Sequence, residues 1–236
     1  MGMRINGIIG DIPKGFITVG GETLIERSIR KLRAFGVETI IVVAGYRAEY
    51  YEELAKRYHG IVLVKNEAYG NSGSMYSYYC ARDFIENDIL LLESDLIYED
   101  RAIEALLVTE KEAVILMSGR TYSGDEVFME TRDDTLVAMS KDRTTLGSID
   151  GELVGISRIS PGLHREMIRT AERLFRTTLH VDYESCIVKT SKRYPVYTLK
   201  IEDLTWGEID DEYHLERVLT KVYPKLQAIE HTAFNQ

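Results

Sequence analysis

Apolar residues fall along this chain at two alternating spacings. "ETIIVVAGY", "IVLVKNE", "DILLLESD" and "EAVILMSG" are short, nearly continuous apolar runs, as expected of strands buried on both faces. Helical spacing fills the stretches between them. "ETLIERSIRKLRAFG" places Ile25, Ile29 and Leu32 on one face and stops at Gly36. "RAEYYEELAKRYHG" is polar, helical and again ends in glycine, and "SMYSYYCARDFI" reads as another helix. "GFITVGG" is a short β-rich run closed by two glycines. Such alternation predicts a parallel, doubly wound sheet with right-handed crossovers.

After Gly119 the pattern changes. "DEVFMETRDDTLVAMSKD" reads as two strands around an Arg-Asp-Asp turn, and "GELVGISRIS" as a strand that follows the hairpin. Helices are expected from Pro161, over "VDYESCIVKTSKR", and over the last segment, where Leu215, Val218, Leu219 and Val222 recur at helical spacing. No repeat, low-complexity tract or linker interrupts the chain. The expectation is one α/β domain over residues 1–236, mostly parallel first and mixed later.

Composition narrows the partners. A net charge of −9 over 236 residues argues against nucleic acid, whose phosphates select basic faces. A small anion needs only a local positive pocket and stays open. Cys80 and Cys186 lack metal-type spacing and read as buried free thiols of a reducing compartment. No apolar run approaches a bilayer's thickness and no signal pattern opens the chain, so a soluble, cytoplasmic protein without membrane insertion is expected.

Open α/β sheets bind ligands beyond the carboxyl ends of their strands. Asp95 emerges there, directly after "ILLLES", where a carboxylate can hold Mg²⁺ against a triphosphate or simply cap a turn. Asp210 and Asp211 precede the last helix; Asp211 suits its N-cap, and Asp210 suits a second metal ligand if folding brings it beside Asp95. Lys14, between Pro13 and a permissive Gly15, can be aimed at a phosphate. Gly2 and Arg4 form a weaker Gly-x-Arg signal. Ser72, Gly73 and Ser74 make a polar turn suited either to capping a helix or to meeting a nucleobase or phosphate through backbone amides. Lys141 ends a hairpin strand and can neutralise a second anion. Asp125 and Glu152 sit near the hairpin, where they can bind a cationic group or face water. Trp206 offers an aromatic face to a cation or packs ahead of the last helix.

In their order, "GMR…PKGF…VGG…NSGSM…LLLESDLIY…SGDEV…GELVGIS…WGEIDDEYHL" resembles the cytidylyltransferases that activate 2-aminoethylphosphonate. More broadly it is similar to the phosphocholine and sugar-phosphate nucleotidyltransferases. The likeness runs over nearly the whole chain, and it implies a Rossmann-like, GT-A-like mixed sheet flanked by helices. It implies that Asp95 and Asp210 ligate Mg²⁺ and that Lys14 stabilises the triphosphate. Gly2, Arg4 and Ser72–Ser74 would contact CTP. Lys141 takes the place of a lysine that holds the acceptor phosphate in related sugar nucleotidyltransferases. For an acceptor ammonium, Asp125 and Glu152 are the candidate carboxylates and Trp206 the candidate ring.

One departure stands at the start. The family's loop reads L-A-A-G-x-G-x-R after an apolar strand, and "MGMR" matches only its last four residues. The resemblance therefore implies that the family's first strand is missing from this chain, through an internal start codon, trimming or natural degeneration. The implied reaction is transfer of CMP from CTP to 2-aminoethylphosphonate with release of pyrophosphate. Phosphocholine or a sugar phosphate is the alternative acceptor, and a non-catalytic nucleotide-binding module is the alternative of another class.

Overall fold

The computed structural model describes residues 11–234; Gly2 and Arg4 lie outside the described residues. In chain order, a single helical turn at Lys14–Phe16 leads to β1 (Thr18–Val19), β2 (Glu22–Thr23), α1 (Leu24–Ala34), β3 (Ile40–Ala44), α2 (Ala48–Arg57) and β4 (Ile61–Lys65). Then come α3 (Ser74–Cys80), β5 (Ile89–Leu92), β6 (Leu96–Tyr98), α4 (Arg101–Val108) and β7 (Val114–Ser118). The hairpin β8 (Phe128–Arg132) and β9 (Thr135–Ser140) is followed by β10 (Gly151–Ile159), α5 (Pro161–Phe175) and α6 (Tyr183–Ser191). The chain closes with β11 (Tyr197–Ile201), β12 (Trp206–Glu208), α7 (Glu212–Arg217), a wide turn at Val218–Val222 and α8 (Tyr223–Phe234).

Local chemistry sets many of these boundaries. Thr23 starts α1: its Oγ1 accepts the Glu26 amide at 3.3 Å and donates to the Glu26 carboxylate at 2.7 Å, so both residues serve the helix start. Ser160 accepts the Leu163 amide at 3.2 Å, and Pro161 occupies the first helical position, where no amide is needed. Asp211 caps α7, its Oδ1 accepting the His214 amide at 2.9 Å. The β8–β9 turn places Asp133 and Asp134 at φ of 50° and 57°, the left-handed pair that a two-residue hairpin requires.

Among the described residues the strands sort into one six-stranded sheet, ordered β5–β10–β7–β11–β9–β8, and three two-stranded pairs. β3 runs parallel to β4 and β11 parallel to β7. The mostly parallel early sheet expected from the sequence needs correction. β10 inserts antiparallel between β5 and β7, so β5 and β7 are not neighbours. Both strand and helix signals around β10 are local, whereas its place is fixed by pairings some 40 to 65 residues back (Arg158 with Val114, Ile156 with Leu92).

α3, α5 and α6 cover one face through Met75, Leu163, Met167 and Ile187. α1, α2 and α4 cover the other through Leu32, Leu54 and Ile103. Ile40 and Val42 of β3 face α1 and α2 while Ile41 faces α3. In β5, Leu90 and Leu92 take the α4 side, and Ile89 and Leu91 the α3 side. The two strands thus share the same two faces, and among the described residues a space of about 990 Å³ lies between them, walled by Ile40–Val43 and Ile89–Leu92. Among the described residues, β3 pairs with β4 alone and β5 with β10 alone. Cys186 is buried and Cys80 half-buried, both as free thiols; Cys80 is therefore less enclosed than expected. No helix among the described residues is long and apolar enough to cross a membrane.

Leu116, on β7 at the middle of the sheet, is fully buried. Leu116→Ala should destabilise the fold by about 2–5 kcal/mol, read as a lower denaturation midpoint at unchanged slope.

Candidate active site

The site forms where three loops meet. Lys14 sits on the single helical turn closed by Phe16 and Ile17 amides donating to Pro13 and Lys14 carbonyls, each at 2.9 Å. Its ammonium donates to Asp95 Oδ2 at 2.8 Å and to Asp210 Oδ1. β6 and β12 bring the two aspartates together: their antiparallel register sets Glu208 opposite Leu96, so the ends carrying Asp95 and Asp210 leave side by side. The Ile209 amide then donates to the Asp95 carbonyl at 3.1 Å. Burial alone would lower the pKa of Lys14, but the two carboxylates outweigh it and raise it. Asp210 is held below the usual carboxylate range: burial works upward, and its bond with Lys14 prevails.

Two further carboxylates stand behind this pair. Glu93 precedes Asp95 by two residues and Glu208 precedes Asp210 by two, a spacing that turns side chains of an extended chain to one face. Glu93, Asp95 and Glu208 each bring an oxygen within 4.8 Å of the others. Burial, then the charge of Asp95, pushes Glu93 up to about 8. Burial, then Asp95 and Glu93, pushes Glu208 up to about 9. The Tyr183 hydroxyl donates to Glu93. Behind Glu93, β10 carries a register shift between Leu153 and Ser157, and Gly155 there has φ +78°. A Cβ at Gly155 would lie 2.8 Å from Glu93 Oε2, so glycine makes room for the carboxylate. The repeated Glu-x-Asp spacing was the sequence signal for Glu93 and Glu208. The donors are all hard carboxylate oxygens, a set that fits Mg²⁺.

A second, smaller cavity of about 70 Å³ adjoins the large one; Glu93, Asp125, Lys141, Glu184 and Glu208 border both. Lys141 donates to Asp125 Oδ2 at 2.7 Å and is otherwise exposed. Glu152 is buried, and its Oε2 accepts the Thr121 amide at 2.8 Å; burial raises its pKa. Trp206 is 9% exposed and packs in the core with Leu116 and Val154, while its ring also borders the small cavity. Its Nε1–H donates to Ser118 Oγ at 2.9 Å. Glu184, in the first turn of α6, was not singled out in the sequence, because an acidic residue there also suits the helix dipole.

The Ser72–Ser74 turn is stitched to the segment before α6. Ser72 accepts from Asn66 at 3.1 Å. The Gly73 amide donates to the Leu179 carbonyl at 2.8 Å and the Met75 amide to Val181 at 3.0 Å. A Cβ at Gly73 would fall 2.4 Å from the Val181 carbonyl oxygen. Ser74 begins α3, with Gly73 at the N-cap and no side-chain cap; its hydroxyl instead accepts the Tyr183 amide at 2.9 Å. Ser74 borders the large cavity together with Asp95 and Asp210.

Residues 2–146 match the MobA-like NTP transferase domain. A 2-aminoethylphosphonate cytidylyltransferase of Lancefieldella rimae is 30% identical over 76% of this chain and 72% of its own length. A choline-phosphate cytidylyltransferase of Streptococcus pneumoniae is 24% identical over 93% of this chain and 94% of its own. The solved inositol-1-phosphate CTP transferase from T. maritima superposes with a TM-score of 0.82 at 18% identity, covering 97% of this chain and 92% of that one, so the two share a fold. The chain belongs to the MobA-like NTP transferase family and is a nucleotidyltransferase of the cytidylyltransferase kind.

Proposed function

We propose that this enzyme transfers CMP from CTP to 2-aminoethylphosphonate with the help of Mg²⁺. The observation that carries the reading is the ammonium of Lys14 held between Asp95 and Asp210 at the edge of the large cavity. That arrangement gathers fixed charge of both signs at the spot where a triphosphate and a cation must meet. The Lancefieldella relative supports the choice of acceptor. The acid-lined small cavity supports it too, since it suits an acceptor with a cationic end.

In this reading an anionic phosphonate oxygen attacks the α-phosphorus of CTP in line. A new phosphorus–oxygen bond forms, the bond from the α-phosphorus to the bridging oxygen breaks, and pyrophosphate departs with that oxygen. The nucleophile is already ionised, so no base is required. What the protein supplies is alignment of two anions and compensation of their charge. Asp95 and Asp210, with Glu93 and Glu208 in reach, would hold Mg²⁺; when bound, it neutralises charge on the triphosphate and leaving group. Lys14 exchanges its carboxylate partners for phosphate oxygens. Lys141 meets the phosphonate from the side of Asp125, and the Ser72–Ser74 turn lies along the nucleotide. Asp125, Glu152 and Trp206 border the acceptor's place.

Pyrophosphate release with CTP, UTP, ATP and dTTP against 2-aminoethylphosphonate, phosphocholine and glucose 1-phosphate tests the assignment. CTP with 2-aminoethylphosphonate is expected to give the highest kcat/KM. Binding without turnover for every pair would support a non-catalytic module instead. Lys14→Met should lower kcat by about 10²–10³ with a circular dichroism spectrum like that of wild type. Metal affinity should depend on pH in a defined direction. Glu93 and Glu208 hold protons below about 8 and 9, and a cation must displace them. Mg²⁺ binding measured by calorimetry should therefore tighten from pH 6 to pH 9, by about tenfold per pH unit for each proton released.

A further inference from the structure

We propose that Glu184 is the residue that receives the cationic amino end of the acceptor; this rests on the reading just given. Most of the carboxylates around the small cavity are already engaged. Asp125 is paired with Lys141 at 2.7 Å. Glu126 accepts the Gly124 amide at 3.1 Å and Glu152 the Thr121 amide at 2.8 Å. Glu93 takes the Tyr183 hydroxyl and, with Glu208, belongs to the acidic group around Asp95. Glu184 differs. Its Oε2 is buried with no hydrogen-bond partner among the described residues, although its side chain borders both cavities.

A carboxylate oxygen withdrawn from water and left unpaired is costly, and such a group in a native fold calls for a donor supplied from elsewhere. The positive charge that acts on it is that of Lys141, whose ammonium is bonded to Asp125. Burial accordingly raises the pKa of Glu184. A primary ammonium in the small cavity would provide both the missing donor and the missing charge. The position is also well fixed: the Tyr183 amide is anchored on Ser74 at 2.9 Å and the preceding Val181 carbonyl on the Met75 amide at 3.0 Å. The backbone leading into Glu184 is therefore held against the start of α3 at Ser74 and Met75.

The chemistry also chooses among amines. A quaternary ammonium has no N–H to offer Oε2 and favours stacked rings. Of the nearby rings, Trp206 is fixed by its bond to Ser118 and Tyr183 by its bond to Glu93. Glu184 thus favours a primary amine over a trimethylammonium group.

The test compares kcat/KM for 2-aminoethylphosphonate and for ethylphosphonate, which lacks the amine, at saturating CTP. Wild type should prefer the amine. Glu184→Gln should cut that preference by about 10- to 150-fold, the worth of one charge-assisted hydrogen bond. Glu184→Asp, which keeps the charge but withdraws it, should fall between the two. An unchanged preference in Glu184→Gln, or an equal loss with both acceptors, overturns the role of Glu184. Wild type that turns over neither phosphonate overturns the proposed reaction instead, so the two failures are distinct.

Discussion

Everything at this site hangs on one ammonium held by two carboxylates. Asp95 and Asp210 share Lys14 although Lys14 and Asp210 are 196 positions apart. Carboxylates gathered this closely would repel one another, and the lysine offsets that repulsion. The same ammonium pulls the early turn, the end of β5 and the approach to α7 into one place. In the proposed reaction a cation entering between the aspartates would move the lysine aside and leave its side chain facing the phosphates. One contact would then serve both as a brace for the resting fold and as a stored charge for the reaction.

The parts of the fold that were legible in sequence are those written in local pattern. Apolar runs disclosed β3, β4, β5 and β7, and the cap at Asp211 followed from residue type alone. β11 is absent from the sequence reading although Tyr197–Ile201 alternates apolar residues with Thr198 and Lys200 at strand spacing; what the pattern does not carry is its parallel pairing with β7. The position of β10 was equally hidden, since a strand's sequence does not say which neighbours it will separate. At the site, Asp95 stood out because it ends an apolar run. Its nearness to Asp210 was not readable, because it comes from the β6–β12 register, a pairing of segments about 110 residues apart. Glu184 left no trace at all: its distinguishing feature is an oxygen without a partner, a property of the folded molecule only.

The two cavities meet at a wall of acidic side chains with Lys141 among them. Negative charge on both sides of a phosphate-transfer site is unusual unless cations cancel it. In the proposed reaction they would come from two directions: Lys14 and a metal ion would answer the triphosphate, and the acceptor would bring its own positive charge. The acceptor's two ends would then be read by opposite chemistry a few ångströms apart, which fixes its orientation without any need for a close steric fit.

Gly155 gives this wall its depth. The backbone of β10 steps back at that residue, in a conformation that side chains rarely adopt, and the Glu93 carboxylate occupies the space released. A single methyl group there would have to displace the Glu93 carboxylate from its place beside Asp95 and Glu208. In the proposed site, the room left for an ion would thus be set partly by a hydrogen atom on a strand that contributes none of the ligands.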